Sequence, residues 1–466
     1  MVFSNLLFMY VFFPFTLIIY YFSPRKMRNF VILLVSLLFY SWGEPIYINL
    51  MLASILIGYI GTIFIDKYKE DKEKSRCILV TTIVIILSTL IFFKYYGFLI
   101  DNINLIFGLN LKIRTLPLPL GISFYTFKLI SYVVDVYTRK VKVQKNFINF
   151  ATYVSMFPQL LSGPIVQYST IENQLTNRKE SIQKFSDGVE KFISGLGKKV
   201  IIANNIGLIW DQVIGNSISE ISILTAWIGI ISFTFQIYFD FSGYSDMAIG
   251  LGKMFGFDFY ENFNYPYISK SITDFWRRWH ISLGTWFKDY IYIPLGGNRT
   301  GKAKQIRNIF IVWLITGLWH GASWNYIIWG LYFGIILFIE KSGFLKILKK
   351  LPGLIRNIYT MFLVIIGWVF FEFTNVKDAF TYIRAMFGAN TTGWYDSLSL
   401  YLLGTNKTFL ILAFICSTPI IVVFIKLFKR NRIGKIITII FYILIVIIAT
   451  AYLVGASYNP FLYFKF

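Results

Sequence analysis

The 466-residue chain has only two histidines and two cysteines, and about half as many acidic residues as basic ones, 23 against 45. Each scarcity excludes something. Cys77 and Cys416 are too few for the disulfide framework of a small secreted protein, and both read as small apolar packing residues. Two histidines with no surrounding Cys or carboxylate cluster do not supply the three or four ligands of a zinc site. The chain has no Gly-x-Ser-x-Gly elbow and no phosphate-binding loop, so a serine triad is not expected. Internal repeats, low-complexity tracts and soluble domains are also missing. Charged residues make up 15% of the chain and hydrophobic ones 56%, a balance that excludes a soluble globular protein and a disordered one.

What is abundant is apolar sequence. Long apolar windows run at Leu6–Phe22, Ile46–Ile65, Cys77–Phe93, Ile221–Phe239, Ile309–Ile339, Ile358–Phe371, Phe409–Ile425 and Ile436–Val454, with shorter or charged ones at Phe30–Tyr40 and Leu116–Tyr137. At ~20 apolar residues per crossing, they predict one all-α polytopic membrane domain over 1–466, with about eleven transmembrane helices plus re-entrant and interfacial helices. Leu6–Phe22 reads as the first span rather than a signal peptide, because no basic residue precedes it and no small-residue cleavage site follows. The net charge of +22 is scattered between the spans, which fits the positive-inside rule better than a nucleic-acid surface. Clusters at 25–28, 67–76, 139–145, 341–356 and 426–435 then lie in the cytoplasm of a multi-pass cell-membrane protein. That orientation places the N-terminus, and the turn at Gly43-Glu44-Pro45, outside.

Polar residues at membrane depth need a reason, and here they gather between about Pro117 and Phe338. Pro117-Leu118-Pro119-Leu120-Gly121 and Phe157-Pro158-Gln159-Leu160-Leu161-Ser162-Gly163-Pro164 either line a cavity or end helices. Asp240-Phe241-Ser242-Gly243-Tyr244-Ser245-Asp246 suggests an interrupted helix. Ser242 reads there as a helix cap, while cap and cavity remain open for Asp240 and Asp246. A helix is expected from Ser271 to Tyr290, with Trp276, His280, Leu283, Phe287 and Tyr290 on one face and Arg277, Arg278 and Lys288 elsewhere. Those cations fit interfacial anchoring, or, with the histidine beside them, the phosphates of a donor such as coenzyme A. Ile309–Ile339 is too long for one straight span and contains Gly317, Gly321 and Gly330, so two spans should meet near His320. A lone histidine on an apolar face is more often a satisfied core residue than a catalyst. The flanking Trp319 and Trp324, the small-residue break, and Ser323 and Asn325 turn the reading toward function.

Several of these motifs resemble the membrane-bound O-acyltransferase (MBOAT) family. They are Asn262-Phe263-Asn264-Tyr265-Pro266-Tyr267, Phe275-Trp276-Arg277-Arg278-Trp279-His280, Tyr290-Ile291-Tyr292-Ile293-Pro294-Leu295-Gly296-Gly297-Asn298-Arg299 and Gly317-Leu318-Trp319-His320-Gly321. The similarity extends over nearly the whole chain, and the nearest branch is that of bacterial alginate, peptidoglycan and cellulose O-acetylation. It implies helices around a central tunnel, and an acyl group passed from a cytoplasmic thioester, acetyl-CoA above all, toward a hydroxyl at the outer face. No tightly bound cofactor is implied. The acceptor would be a polysaccharide, the transfer completed by an extracytoplasmic esterase-like partner. The resemblance makes His320 the catalytic histidine and His280 a second signature position toward the cytoplasmic side of the same tunnel, so both are catalytic candidates; the residues singled out above, Trp276, Arg277, Arg278, Trp279, Trp319, Ser323, Asn325, Asp240 and Asp246, are candidates for the tunnel or substrate sites. Tyr463, in the aromatic C-terminal tail, is a candidate acyl relay, with an aromatic-belt residue as its plain alternative. Two rival functions are a teichoic-acid type D-alanyl transferase, which shares the Trp–His signature, and a lipid-linked sugar transporter, which the missing inverted repeat disfavours.

Overall fold

A computed structural model describes residues 2–113, 116–299, 301–389, 391–455 and 462. Every regular element among them is helical. Among the described residues, seven helices are long and apolar enough to cross a membrane: Ile48–Lys67, Lys72–Phe107, Ile182–Ile214, Ile223–Met254, Gly353–Glu372, Ser397–Cys416 and Arg432–Gly455. Helices satisfy their own backbone groups where no water can, so a multi-pass membrane protein follows. The expectation of about eleven spans at ~20 residues each is not confirmed by helices of this length. Several apolar runs instead form shorter helices, such as Phe8–Phe22 and Trp324–Ile339.

Packing divides the chain into two compact units, Met1–Phe192 with Ser245–Tyr260, and Ile193–Tyr244 with Glu261–Phe466. In the first, Ile48–Lys67, Lys72–Phe107 and Ile122–Tyr137 pack on one another. The proline-rich stretch at 117–121 is a loop that leads into Ile122–Tyr137. Gly121, at φ +72°, starts the helix, and a Cβ there would press on the Leu160 carbonyl. A dense polar knot closes part of this unit. Glu180 accepts from Tyr20 Oη at 2.7 Å and pairs with Arg28 at 2.7 Å, while Arg178 donates to Tyr20 at 2.9 Å and to Asn29 at 2.5 Å. Burial alone would raise the Glu180 pKa, but the bonds from Tyr20 and Arg28 outweigh it and hold the carboxyl below its ordinary range.

The second unit carries six helices that matter for function: α1 (Ile223–Met254, its residues to Tyr244), α2 (Ile272–Arg278), α3 (Ile281–Phe287), α4 (Lys302–His320), α5 (Trp324–Ile339) and α6 (Gly353–Glu372). α1 corrects the expected interruption at 240–246: the helix runs straight through, and Ser242 is a buried mid-helix residue rather than a cap. The physical reason is charge compensation, since Asp240 is neutralised by Lys199 and the helix need not open to satisfy it. The single helix expected over 271–290 is also corrected, because it breaks at Trp279-His280 into α2 and α3. α2 starts where it does because Ser271 caps the Asp274 amide and the Glu340 carboxylate accepts the Ile272 and Thr273 amides at 2.7 and 2.8 Å. The run Ile309–Ile339 divides at His320 as expected, into α4 and α5, although neither is among the seven helices long and apolar enough to cross a membrane. α4 and α5 approach closely because Cβ atoms on Gly317 and Gly330 would collide with the Tyr326 and Trp313 carbonyls.

Candidate active site

His320 is the last residue of α4, and three residues of turn separate it from α5. The turn can fold this tightly only because Gly321 has no side chain; a Cβ there would collide with the Tyr326 ring. The imidazole is buried among aromatic faces. Its ring centre lies 5.0 Å from those of Trp319 and Trp329 and 5.2 Å from that of Phe371, all edge to face. It opens on a small cavity shared with Asp240, Phe241, Trp279, Trp329, Trp368 and Phe371, and with Leu462 from the C-terminal tail.

His280 occupies a different setting. It sits at the α2–α3 break with φ +45°, in the left-handed region that non-glycine residues enter only at a cost. A splint holds the break in place: Asn264 N–H donates to the Arg278 carbonyl and Ile281 N–H to the Asn262 carbonyl, both at 2.9 Å. Asn262 Oδ1 accepts the Ser282 amide at 3.1 Å and its hydroxyl at 2.9 Å, and it faces His280 Nδ1 at 3.2 Å. An amide oxygen can only accept, so that contact places the proton on Nδ1 and leaves Nε2 as the basic nitrogen. The His280 ring packs edge-on against Phe241 at 4.7 Å and against Trp319 at 5.9 Å. Trp319 in turn touches His320, so one indole bridges the two imidazoles.

The other sequence candidates separate into groups. Asp240 lines the cavity, is ion-paired with Lys199, and accepts the Leu462 amide at 2.8 Å. Asp246 falls in the first unit, where it pairs with Lys191 at 2.9 Å. Trp279 forms cavity wall, and Trp276 packs behind it on Trp313 and Trp329, at 4.7 and 5.5 Å. Arg277 is exposed, while Arg278 is bound to Asp274 at 3.0 Å and to the Asn264 carbonyl at 3.2 Å. Ser323 precedes α5 without a side-chain cap bond, and Asn325 donates to the Phe370 and Phe371 carbonyls at 3.3 Å each, closing the end of α6. Tyr463 lies outside the described residues. Sequence reasoning did not single out Asn262 as a holder of His280, nor Lys199, Trp329, Trp368 or Phe371. Lys199 carried a usable signal, a cation inside the long apolar run Ile182–Ile214. The aromatic residues carried none, since they match the pattern of any span. Among the described residues, no group of three or more His, Cys, Asp or Glu could hold a metal ion.

A ring-walled cavity with one imidazole on its wall suits proton abstraction from a hydroxyl next to an acyl carbon. The sequence model of the membrane-bound O-acyltransferase family, MBOAT, matches residues 139–374, a segment that holds both histidines and all six helices. A protein named "probable alginate O-acetylase" from Pseudomonas aeruginosa is 40% identical over 419 residues, covering 89% of this chain and 80% of the relative. This chain belongs to the membrane-bound O-acyltransferase family. It is therefore a multi-pass membrane O-acyltransferase, and the transporter reading falls away. Within the family, the peptidoglycan O-acetyltransferase of Helicobacter pylori is 35% identical over 425 residues, covering 84% of this chain and 80% of the relative. The teichoic acid D-alanyltransferase of Bacillus subtilis is 32% identical over 262 residues, covering 53% of this chain and 65% of the relative.

Proposed function

We propose that this MBOAT protein moves an acetyl group from a cytoplasmic thioester, acetyl-CoA, across the cell membrane for O-acetylation of an extracellular polysaccharide, with His320 as general base. The observation that carries the reading is His320 at the wall of the cavity, within a chain resembling alginate and peptidoglycan O-acetylating proteins over most of its length. D-alanyl transfer is the lesser reading, because its representative matches only about half of the chain. His320 takes the proton of the attacking hydroxyl as the hydroxyl oxygen bonds to the acyl carbon. When the intermediate collapses, the C–S bond breaks and the imidazolium returns the proton to the departing thiolate. His280, held by Asn262, is the second catalytic position and acts from the donor side.

The basic clusters face the cytoplasm in this reading, so the N-terminus and the C-terminal tail lie outside. The Leu462 amide on Asp240 supports a tail that reaches the cavity. Tyr463 follows it in sequence and would take the acyl group as a phenyl ester, then release it to an esterase-like partner that loads the polysaccharide.

The test is acetylation of the surface polysaccharide in cells carrying His320→Ala. Loss of acetate from the polymer, with normal amounts of protein in the membrane, is the expected result; near-normal acetylation overturns the reading. Tyr463→Phe removes one hydroxyl and should stop transfer to the polymer. Full activity in that variant leaves the tail an anchor only.

A further inference from the structure

We infer that the indole N–H of Trp329 is a donor to the acyl oxygen during transfer, the electrostatic counterpart of His320. Acyl transfer develops negative charge on the carbonyl oxygen, and a base alone does nothing for it. The cavity wall therefore ought to offer a fixed N–H or O–H close to the imidazole, and few of its residues can. Asp240 is spent on Lys199 and the Leu462 amide. Ile237, Phe241, Phe371 and Leu462 bring no side-chain donor. Trp279, Trp329 and Trp368 each bring an indole to the wall, and of these it is Trp329 whose ring packs on the His320 imidazole.

Trp329 joins an unmet donor to direct contact with the base. It lies on the cavity wall and is 1% exposed, and its Nε1 has no hydrogen-bond partner among the described residues. Leaving a buried N–H unmet costs roughly 1–3 kcal/mol, so proteins seldom keep one without a use. Of the other indoles of the second unit, Trp210 donates to Glu372 and Trp227 to the Met386 carbonyl, whereas the N–H groups of Trp276 and Trp368 have no partner among the described residues. Trp329 also cannot drift. Its ring is wedged between Phe333 at 5.4 Å, Phe371 at 5.3 Å and Trp276 at 5.5 Å, and it stands at 81° to the His320 ring at 5.0 Å. A donor locked before the substrate arrives needs no reorganisation when charge appears.

The step balances. The hydroxyl oxygen bonds to the acyl carbon, its proton passes to His320, and the carbonyl π pair moves onto the oxygen facing Trp329 Nε1–H. That pair then re-forms the carbonyl as the C–S bond breaks, and the thiolate takes the proton from the imidazolium. This inference rests on the general-base reading of His320.

The experiment uses the full-length protein in membranes, with acetyl-CoA as donor and thiol release as readout. Trp329→Phe should lower kcat by about a hundred- to a thousand-fold, the usual effect of losing one oxyanion donor, while the donor KM changes little. Because Phe also leaves a gap in the ring cluster, the deciding variant replaces Trp329 with benzothienylalanine, which keeps the bicyclic shape and exchanges the N–H for sulfur. An equal loss of kcat with normal protein accumulation is expected. Wild-type kcat in that protein overturns the inference, and it does so independently of His320→Ala, whose own activity judges the general-base reading.

Discussion

The two histidines, equal in the sequence, are held in opposite ways. His320 ends a continuous helix, is walled by rings, and opens on the cavity. His280 sits in a helix break behind that wall, at positive φ, with Asn262 facing one of its nitrogens. The first arrangement leaves an imidazole to meet a substrate; the second fixes an imidazole's tautomer and direction. An aromatic environment therefore does not by itself mark the reactive group. In the mechanism proposed above, position relative to the cavity marks His320 as the base, while the contact with Asn262 orients His280.

The sharpest way to break this contrast is to remove each imidazole. His320→Ala should cost roughly a hundred- to ten-thousand-fold in the rate of acetyl transfer, as expected for a lost general base. His280→Ala should cost less in kcat and show more of its effect in donor KM. Equal losses in kcat alone, from a donor titration on membranes, would erase the distinction.

Next in size is the anchor beneath the cavity. Asp240→Leu strands a buried Lys199, and removing one member of such a pair typically costs about 3–5 kcal/mol. Thermal unfolding in detergent should show that loss. The double variant Asp240→Leu with Lys199→Met should recover most of it while transfer stays impaired, because the Leu462 amide still has lost its acceptor. Full recovery of transfer in the double variant would reduce Asp240 to a packing residue.

A smaller effect is expected from Asn262→Ala, which removes the acceptor of the Ser282 groups and the contact to His280, at roughly 1–3 kcal/mol. If Asn262 orients His280, the variant should move donor KM in the same direction as His280→Ala. A change in melting temperature alone would make the splint purely structural.

The smallest effects belong to the arginines. Arg278 is already engaged by Asp274 and a carbonyl, whereas Arg277 is exposed. Arg277→Ala should weaken use of the phosphorylated donor more than Arg278→Ala, by no more than about 1 kcal/mol at an exposed position. An unchanged donor KM in both variants would leave them as interfacial anchors.

Much of the fold was legible because apolar run length is a local property. The windows at 46–65, 221–239 and 436–454 became Ile48–Lys67, α1 and Arg432–Gly455, with ends shifted by polar residues that helices tolerate. The break after His320 was legible too, since Gly321 and the small residues after it make it locally. Two readings failed where a remote partner intervened. Helical spacing alone placed His280 on one face of an unbroken helix, and only the strap at Asn262–Asn264 explains the break. At 240–246, two carboxylates, two serines and a glycine after an apolar run pointed to an interrupted helix, and the remote Lys199 supplies the charge that lets the helix continue.

The sequence by itself determined an all-helical membrane acyltransferase, because hydrophobic length, charge placement and short motifs around each histidine are all written in neighbouring residues. Only the tertiary structure decided which of its polar groups share the cavity: His320 with Asp240 and Trp329, but neither Asp246 nor Asn325. Hydrogen bonds and ion pairs act over a few ångströms of space, and the residues that meet there are separated by whole helices of chain.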